Sequence, residues 1–201
     1  MTVIDIGSNY GADIKYYPKN SNIHCFEPNP LLCEYIRTNF SSYPKLYVHN
    51  VAVSDYAGKS YFNLTEDTYS SSLFNLTEEY KDNEVLKQID KINVDVINIA
   101  EFIQENNIEQ IIYYKSDAQG MDYRILKSMG DQIRKINLGR IEVVNKNNQI
   151  YKDQDNFLDD VIYYLEYYGL QCLNKQEIKN LFDNDNIVDY DLKFKGVNKF
   201  I

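Results

Sequence analysis

The chain has 201 residues, 44% hydrophobic and 14% aromatic, with 19 tyrosines and no tryptophan; this is one domain with enough apolar side chains for a core, and a disordered polymer is excluded. The formal net charge of −9 and a pI near 4.7 argue against the basic face that grips phosphate backbones, so no nucleic-acid partner is expected. No apolar run approaches the roughly 18 residues that span a bilayer, and no membrane partner is expected.

Residues 3–6 are a short apolar run, interrupted by Asp5, that predicts the first strand and opens into Gly7-Ser8-Asn9-Tyr10-Gly11. Glycine lacks a Cβ and accepts positive φ, so such a turn lets a ligand approach the backbone. A short helix is predicted over 13–17, closed near Pro18, and a second strand over 23–27, ending at Glu27. An acidic residue at that strand end suits a ribose diol. Asn29-Pro30 opens a helix over 31–40, with proline at a favoured first position. Residues 46–54 and 59–64 read as the arms of one hairpin around the turn Asp55-Tyr56-Ala57-Gly58. Residues 65–90 are polar and carry Ser70-Ser71-Ser72; a loop followed by a short helix over 78–89 is expected there.

A strand over 94–97 and a helix over 101–105 follow. The strand over 111–115 runs out at Ser116-Asp117, which places Asp117 at the carboxyl end of a central strand, where ligands of open α/β sheets sit. Next come a helix over 121–129 stopped by Gly130, a strand over 138–144 broken at its rim by Glu142, and an amphipathic helix over 156–168 ended by Gly169. Residues 188–194 and 199–201 predict a closing antiparallel hairpin. Strands alternating with helices argue an α/β fold: a mostly parallel sheet with helices on both faces. Cys25, Cys33 and Cys172 are odd in number and lack metal-ligand spacing. They read as reduced thiols of a cytoplasmic protein, since no signal-peptide pattern precedes the first strand. His24 and His49 lie in strand patterns and read as structural, and Arg140 can pair with Glu142, two residues along the same strand face.

The glycine spacing separates two cofactor classes. Dinucleotide sites use G-x-G-x-x-G, whereas Asp5-x-Gly7-x-x-x-Gly11 places a carboxylate where an ammonium and a sulfonium gain and a pyrophosphate does not. This pattern, followed by Glu27, resembles the first motif and ribose acid of S-adenosylmethionine-dependent methyltransferases. More specifically, residues 3–11, Cys25-Phe26-Glu27-Pro28-Asn29-Pro30, residues 50–55 with Gly58, and Lys115-x-Asp117-x-x-Gly120 running to Lys127 resemble the FkbM methyltransferase family.

That resemblance implies a Rossmann-like class I methyltransferase with a seven-stranded sheet, S-adenosyl-L-methionine as donor and a sugar or glycan hydroxyl as acceptor. By position, Asp5, Gly7, Ser8, Asn9, Tyr10 and Gly11 would cradle the methionine part; Glu27, with Pro28 behind it, would hold the ribose; Val51 and Ala52 would lie by the adenine. Asp117 would face the sulfonium and acceptor, with Glu142 and Lys115 completing the catalytic set; the metal-free version, in which Asp117 takes the proton late, is preferred over one in which Asp117 with Glu142 or Asp122 holds a divalent ion that acidifies the hydroxyl. Ser71, Ser72 and Asp122 would line the acceptor side; Asp122 is a departure, since the family usually has Glu there. Both ends of the chain lie flush with the fold, so residues 1–201 read as one domain excised from a larger enzyme. Rival readings are an RNA ribose methyltransferase, disfavoured by charge, an NAD-dependent oxidoreductase, disfavoured by glycine spacing, and a silent adenosyl-binding module.

Overall fold

The computed structural model describes residues 1–147, 149–182 and 189–196. Its centre is a seven-stranded sheet built from β1 (Thr2–Ile6), β2 (Asn22–Phe26), β3 (Leu46–His49), β7 (Ile111–Ser116), β8 (Leu138–Val144), β9 (Leu170–Cys172) and β10 (Asp189–Gly196), in the order β3-β2-β1-β7-β8-β10-β9. All pairings from β3 to β8 are parallel; β10 is antiparallel to both β8 and β9.

The strand sequences explain the layering. In β1, Ile4 and Ile6 point into a large core with Ile99 and Ile103 of α2 (Ile99–Glu105), Ile125 and Leu126 of α3 (Asp122–Ser128), and Val161 and Leu165 of α4 (Leu158–Tyr167). Val3 points the other way, into a smaller core with Ile14, Tyr17, Ile23, Cys25 and Ile36 of α1 (Pro30–Asn39). Both faces are covered, which is why the strands read as continuous apolar runs rather than alternating ones. Asn29 caps α1 by accepting from the Leu31 amide, with Pro30 at the first position. Among the described residues no helix is long and apolar enough to cross a membrane.

Several expected elements differ. The run at 46–54 is not one strand: β3 ends at His49, and after Asn50-Val51 the chain enters a second sheet as β4 (Ala52–Ser54). That sheet has the order β4-β6-β5, with β5 (Gly58–Thr65) antiparallel and β4 parallel to the long β6 (Gln88–Asn98). The hairpin partner of β5 is therefore β6, not residues 46–54. No helix forms over 78–87, where turns precede β6; the segment has no apolar stripe to bury, and residues 81–85 are exposed. The helix expected at 13–17 shrinks to a single 3₁₀ turn, Ile14–Tyr16. β9 and α5 (Lys175–Phe182) were not foreseen. Of the closing hairpin, residues 189–194 lie in β10; residues 188 and 199–201 lie outside the described residues, and β9 supplies an antiparallel partner.

The three cysteines are buried and unpaired by disulfides, and burial pushes each thiol up. His24 and His49 stack on neighbouring strands with Nδ1 and Nε2 3.1 Å apart, packed against Phe26, Tyr47 and Phe102. Burial lowers both, His24 to about 4, so the pair is neutral packing. Arg140 does not pair with Glu142; it binds Asp13 at 2.5 Å and Asp191 at 3.3 Å.

Candidate active site

Strand order reverses between β1 and β7, so the chain leaves a crevice beyond their carboxyl ends. A cleft lies there, floored by Ile6, Gly7, Phe26 and Asp117 and roofed by the small sheet through Ala52, Val53 and Phe62 and by the 3₁₀ turn Thr68–Ser70. Its volume, counting space open to solvent, is about 600 Å³. Ile6, Phe26, Val51, Val53, Phe62 and Leu73 line this slot, which suits a flat apolar group.

Glu27 lies at one end of the slot. Its two carboxylate oxygens accept from the Asn9 and Asn29 amides, each at 2.8 Å. Its carbonyl accepts from Cys33 Sγ and from Asn50 Nδ2, so the side chain is fixed from both directions. Burial raises the carboxyl to about 7, despite the two amides that favour its charged form. Each oxygen keeps a second lone pair for a hydroxyl in the slot.

The glycine turn works differently from the expectation that it opens the backbone to a ligand. A Cβ on Gly7 would lie 1.9 Å from the Asp117 carbonyl oxygen, and Gly7 has φ of +70°. Its missing side chain makes room for the β7–α3 loop. Gly11, at φ +71°, is close-packed on Ile14, Ile36 and Phe40. Both glycines let protein approach protein, and of the two only Gly7 also lines the slot.

Beneath the turn lies a buried charge chain. Tyr17 donates to Asp5 Oδ2 at 2.9 Å, and Lys115 Nζ lies 3.5 Å from Asp5 Oδ1, 3.5 Å from Asp117 Oδ2 and 2.6 Å from the Gly7 carbonyl. Burial pushes the Asp5 carboxyl up, against the pull of Lys115. Burial alone would lower Lys115, but Asp5 and Asp117 more than offset it and keep the ammonium charged. Lys115 therefore ties three segments at the slot floor without reaching the slot itself.

The loop after β7 is held from beneath by Asp122. Its carboxylate accepts from Ser116 Oγ at 2.6 Å, the Ala118 amide at 2.8 Å and the Gly120 amide at 3.3 Å, and it is fully buried. Burial raises it to about 6. Asp117, whose side chain is one-third exposed, faces the slot on one side. On the other it borders a second, polar depression shared with Arg140, Glu142, Asp189, Asp191 and Lys193. Burial and the charges of Asp117 and Asp122 push Glu142 well above the usual carboxylate range.

Of the expected residues, Gly7, Asn9, Glu27, Pro28, Val51, Ala52 and Asp117 line the slot together. Asp5, Ser8, Tyr10 and Gly11 surround it without lining it; Ser8 donates to the Asp5 carbonyl, and Tyr10 packs outside against Tyr35 and Tyr69. Ser71, expected beside the acceptor, lines the slot and bonds the Thr65 amide. Ser72 and Asp122, expected there too, are instead buried supports of the 116–122 loop, Ser72 by donating to the Gln119 carbonyl. Two residues were missed: Gln119, which lines the slot, and Tyr151, buried behind it. A lone tyrosine in the polar stretch 145–156 was the only trace of the second.

A parallel sheet whose order reverses at the slot, closed by an antiparallel strand, defines a Rossmann-like methyltransferase fold. Comparison with known proteins narrows this. The model of the methyltransferase FkbM domain matches residues 5–172, and the chain belongs to the FkbM methyltransferase family. Its structure is similar to methyltransferase FkbM from Methylobacillus flagellatus KT, with TM-score 0.52 and 12% identity, over 96% of this chain and 43% of that one. That likeness shows the fold alone, and this chain spans less than half of that protein's length. A putative RNA methyltransferase PH1948 from Pyrococcus horikoshii gives TM-score 0.47 and 8% identity, over 100% of this chain and 75% of that one. No curated protein matches the sequence.

Proposed function

We propose that this methyltransferase uses S-adenosyl-L-methionine and methylates a hydroxyl oxygen of a sugar or glycan. The observation that carries the reading is the slot itself: apolar walls for a flat base, a fixed Glu27 carboxyl at one end, and the Asp117 carboxylate where the slot meets a polar depression. The donor set fits a cofactor with a diol and a positive charge, since both charged groups facing the slot are acidic.

Glu27 would accept from the ribose hydroxyls through its free lone pairs. Val51 and Ala52 would flank the adenine, and Gly7 and Asn9 the methionine part. When bound, the donor supplies a methyl group on a sulfonium that leaves readily. The protein's task is then to align an acceptor oxygen with it, which fixed groups do well. Asp117 orients the acceptor hydroxyl and takes its proton late, as the hydroxyl becomes acidic; a carboxylate is too weak a base to do so early. Lys115 balances the charge of Asp117 from below. Glu142, raised by burial, lies in the depression beside Asp117. Arg140 and Lys193 add donors to that depression, a mix that suits a polyhydroxylated acceptor.

Calorimetry with adenosylhomocysteine tests the cofactor. Binding at micromolar concentration is expected, and none at millimolar concentration would sink the reading. Mass spectrometry of a panel of free sugars and glycans, incubated with isotope-labelled donor, tests the acceptor; label on nitrogen or carbon instead of oxygen would overturn that part.

A further inference from the structure

Gln119 sits between two acids from neighbouring strands. Its side-chain Nε2 lies 2.8 Å from Asp117 Oδ1 and 2.9 Å from Glu142 Oε1. The amide turns its NH₂ to the pair, one hydrogen to each. The other end of the amide then faces Tyr151, whose hydroxyl lies 2.9 Å from Gln119 Oε1 and 2.7 Å from the Ser70 carbonyl. The Gln119 carbonyl accepts from Ser72 Oγ at 2.7 Å. The residue holds this place with φ of 50°, a left-handed conformation that costs a side chain with a Cβ roughly 1 kcal/mol. Backbone strain of this kind persists where the surroundings over-determine it, and here four partners do.

The amide also joins two spaces. Gln119 and Asp117 line the slot, whereas Glu142 and Asp117 line the polar depression. Neither Lys115 nor Arg140 bridges the two acids. Lys115 of β7 reaches Asp117 only at 3.5 Å and is shared with Asp5. Arg140 of β8 is taken by Asp13 and Asp191. Asp122 of α3 and Asp189 and Asp191 of β10 add negative charge that pushes Glu142 up. Without a donor between them, Asp117 and Glu142 would repel and turn apart.

We propose that Gln119 is a positioning residue whose amide yokes Asp117 to Glu142, so that the two acids keep one orientation. The importance of that pair rests on the reading of Asp117 as the group facing the acceptor. The yoke itself does not.

The test is a pH titration by NMR of the whole protein, without ligand, carrying ¹³C-labelled aspartate and glutamate carboxyls. In the wild type, the Glu142 carboxyl should titrate well above the usual carboxylate range. Gln119→Met keeps the length and removes both donors; it should raise the Glu142 midpoint by about one pH unit or more. Tyr151→Phe frees the far end of the amide and should shift it the same way by less. A residue that merely supports the loop would lower the melting temperature and leave the midpoint in place. An unchanged Glu142 midpoint in Gln119→Met overturns the proposal; should that variant not fold, an unchanged Glu142 midpoint in Tyr151→Phe overturns it. Calorimetry with adenosylhomocysteine reports on the cofactor reading separately, so failure of one is not mistaken for failure of the other.

Discussion

Two loops meet at the floor of the slot, and they are shaped by opposite means. The loop after β1 is shaped by what is missing: at Gly7 and Gly11 the absent Cβ lets the Asp117 carbonyl and the α1 side chains come close. The loop after β7 is shaped by what is present: Asp122, Ser72 and Gln119 fix its backbone and acids through hydrogen bonds. The first should tolerate almost no added volume. The second should tolerate no lost acceptor. The same rim of one cleft is thus vulnerable to two different kinds of change.

Gly7→Ala attacks the first loop and should have the largest effect. A Cβ 1.9 Å from a backbone carbonyl, in a left-handed conformation, should cost about 4 kcal/mol or abolish folding, as read by urea denaturation. A loss below about 1 kcal/mol would erase the contrast. Asp122→Ala attacks the second. It strands the Ser116 hydroxyl and the Ala118 and Gly120 amides in a buried site and should cost about 3 kcal/mol; Asp122→Asn, which keeps one acceptor oxygen, should cost less. No loss in Asp122→Asn beside a full loss in Asp122→Ala would show that volume rather than hydrogen bonding governs this loop.

Glu27 is anchored by both the first loop and the cap of α1, and its titration probes where they join. Its carboxyl is raised from 4.5 to about 7 in the folded chain. The stability this group contributes is therefore full below about pH 4.5 and is lost as the pH rises through about 7. Ligand binding runs the other way, because ribose hydroxyls need the ionised form. Affinity for adenosylhomocysteine should fall about tenfold from pH 8 to pH 6, and Glu27→Gln should flatten that slope. A slope that survives the substitution would assign it to another group. Tyr17→Phe removes one hydrogen bond from the buried Asp5 and should have the smallest effect, about 1 kcal/mol in the same denaturation assay.

Much of the sheet was legible because β1, β2, β7 and β8 are buried on both faces and read as apolar runs. Helices α1 and α4 were legible through a proline start and an apolar stripe. The run at 46–54 misled because strand periodicity does not record which sheet a strand joins. β3 pairs with β2 while β4 pairs with β6, and only Asn50-Val51 separates them. Residues 78–87 misled because helix formers without an apolar face have nothing to dock. Glu27 and Asp117 were legible because each ends an apolar strand, where a charge is conspicuous. Gln119 was not, because its importance comes from residues distant in sequence, Ser72, Glu142 and Tyr151, that only the fold brings to it.

The buried thiols have a practical consequence. Cys25 and Cys33 sit in and against β2, and Cys172 sits in β9, at opposite flanks of the central sheet. A thiol that is covered and holds its proton reacts with alkylating reagents only when its surroundings open. Timed alkylation followed by peptide mass analysis would therefore clock the two flanks independently. Since Cys33 bonds the Glu27 carbonyl, its rate would also reveal whether an occupied slot slows the breathing of that flank alone.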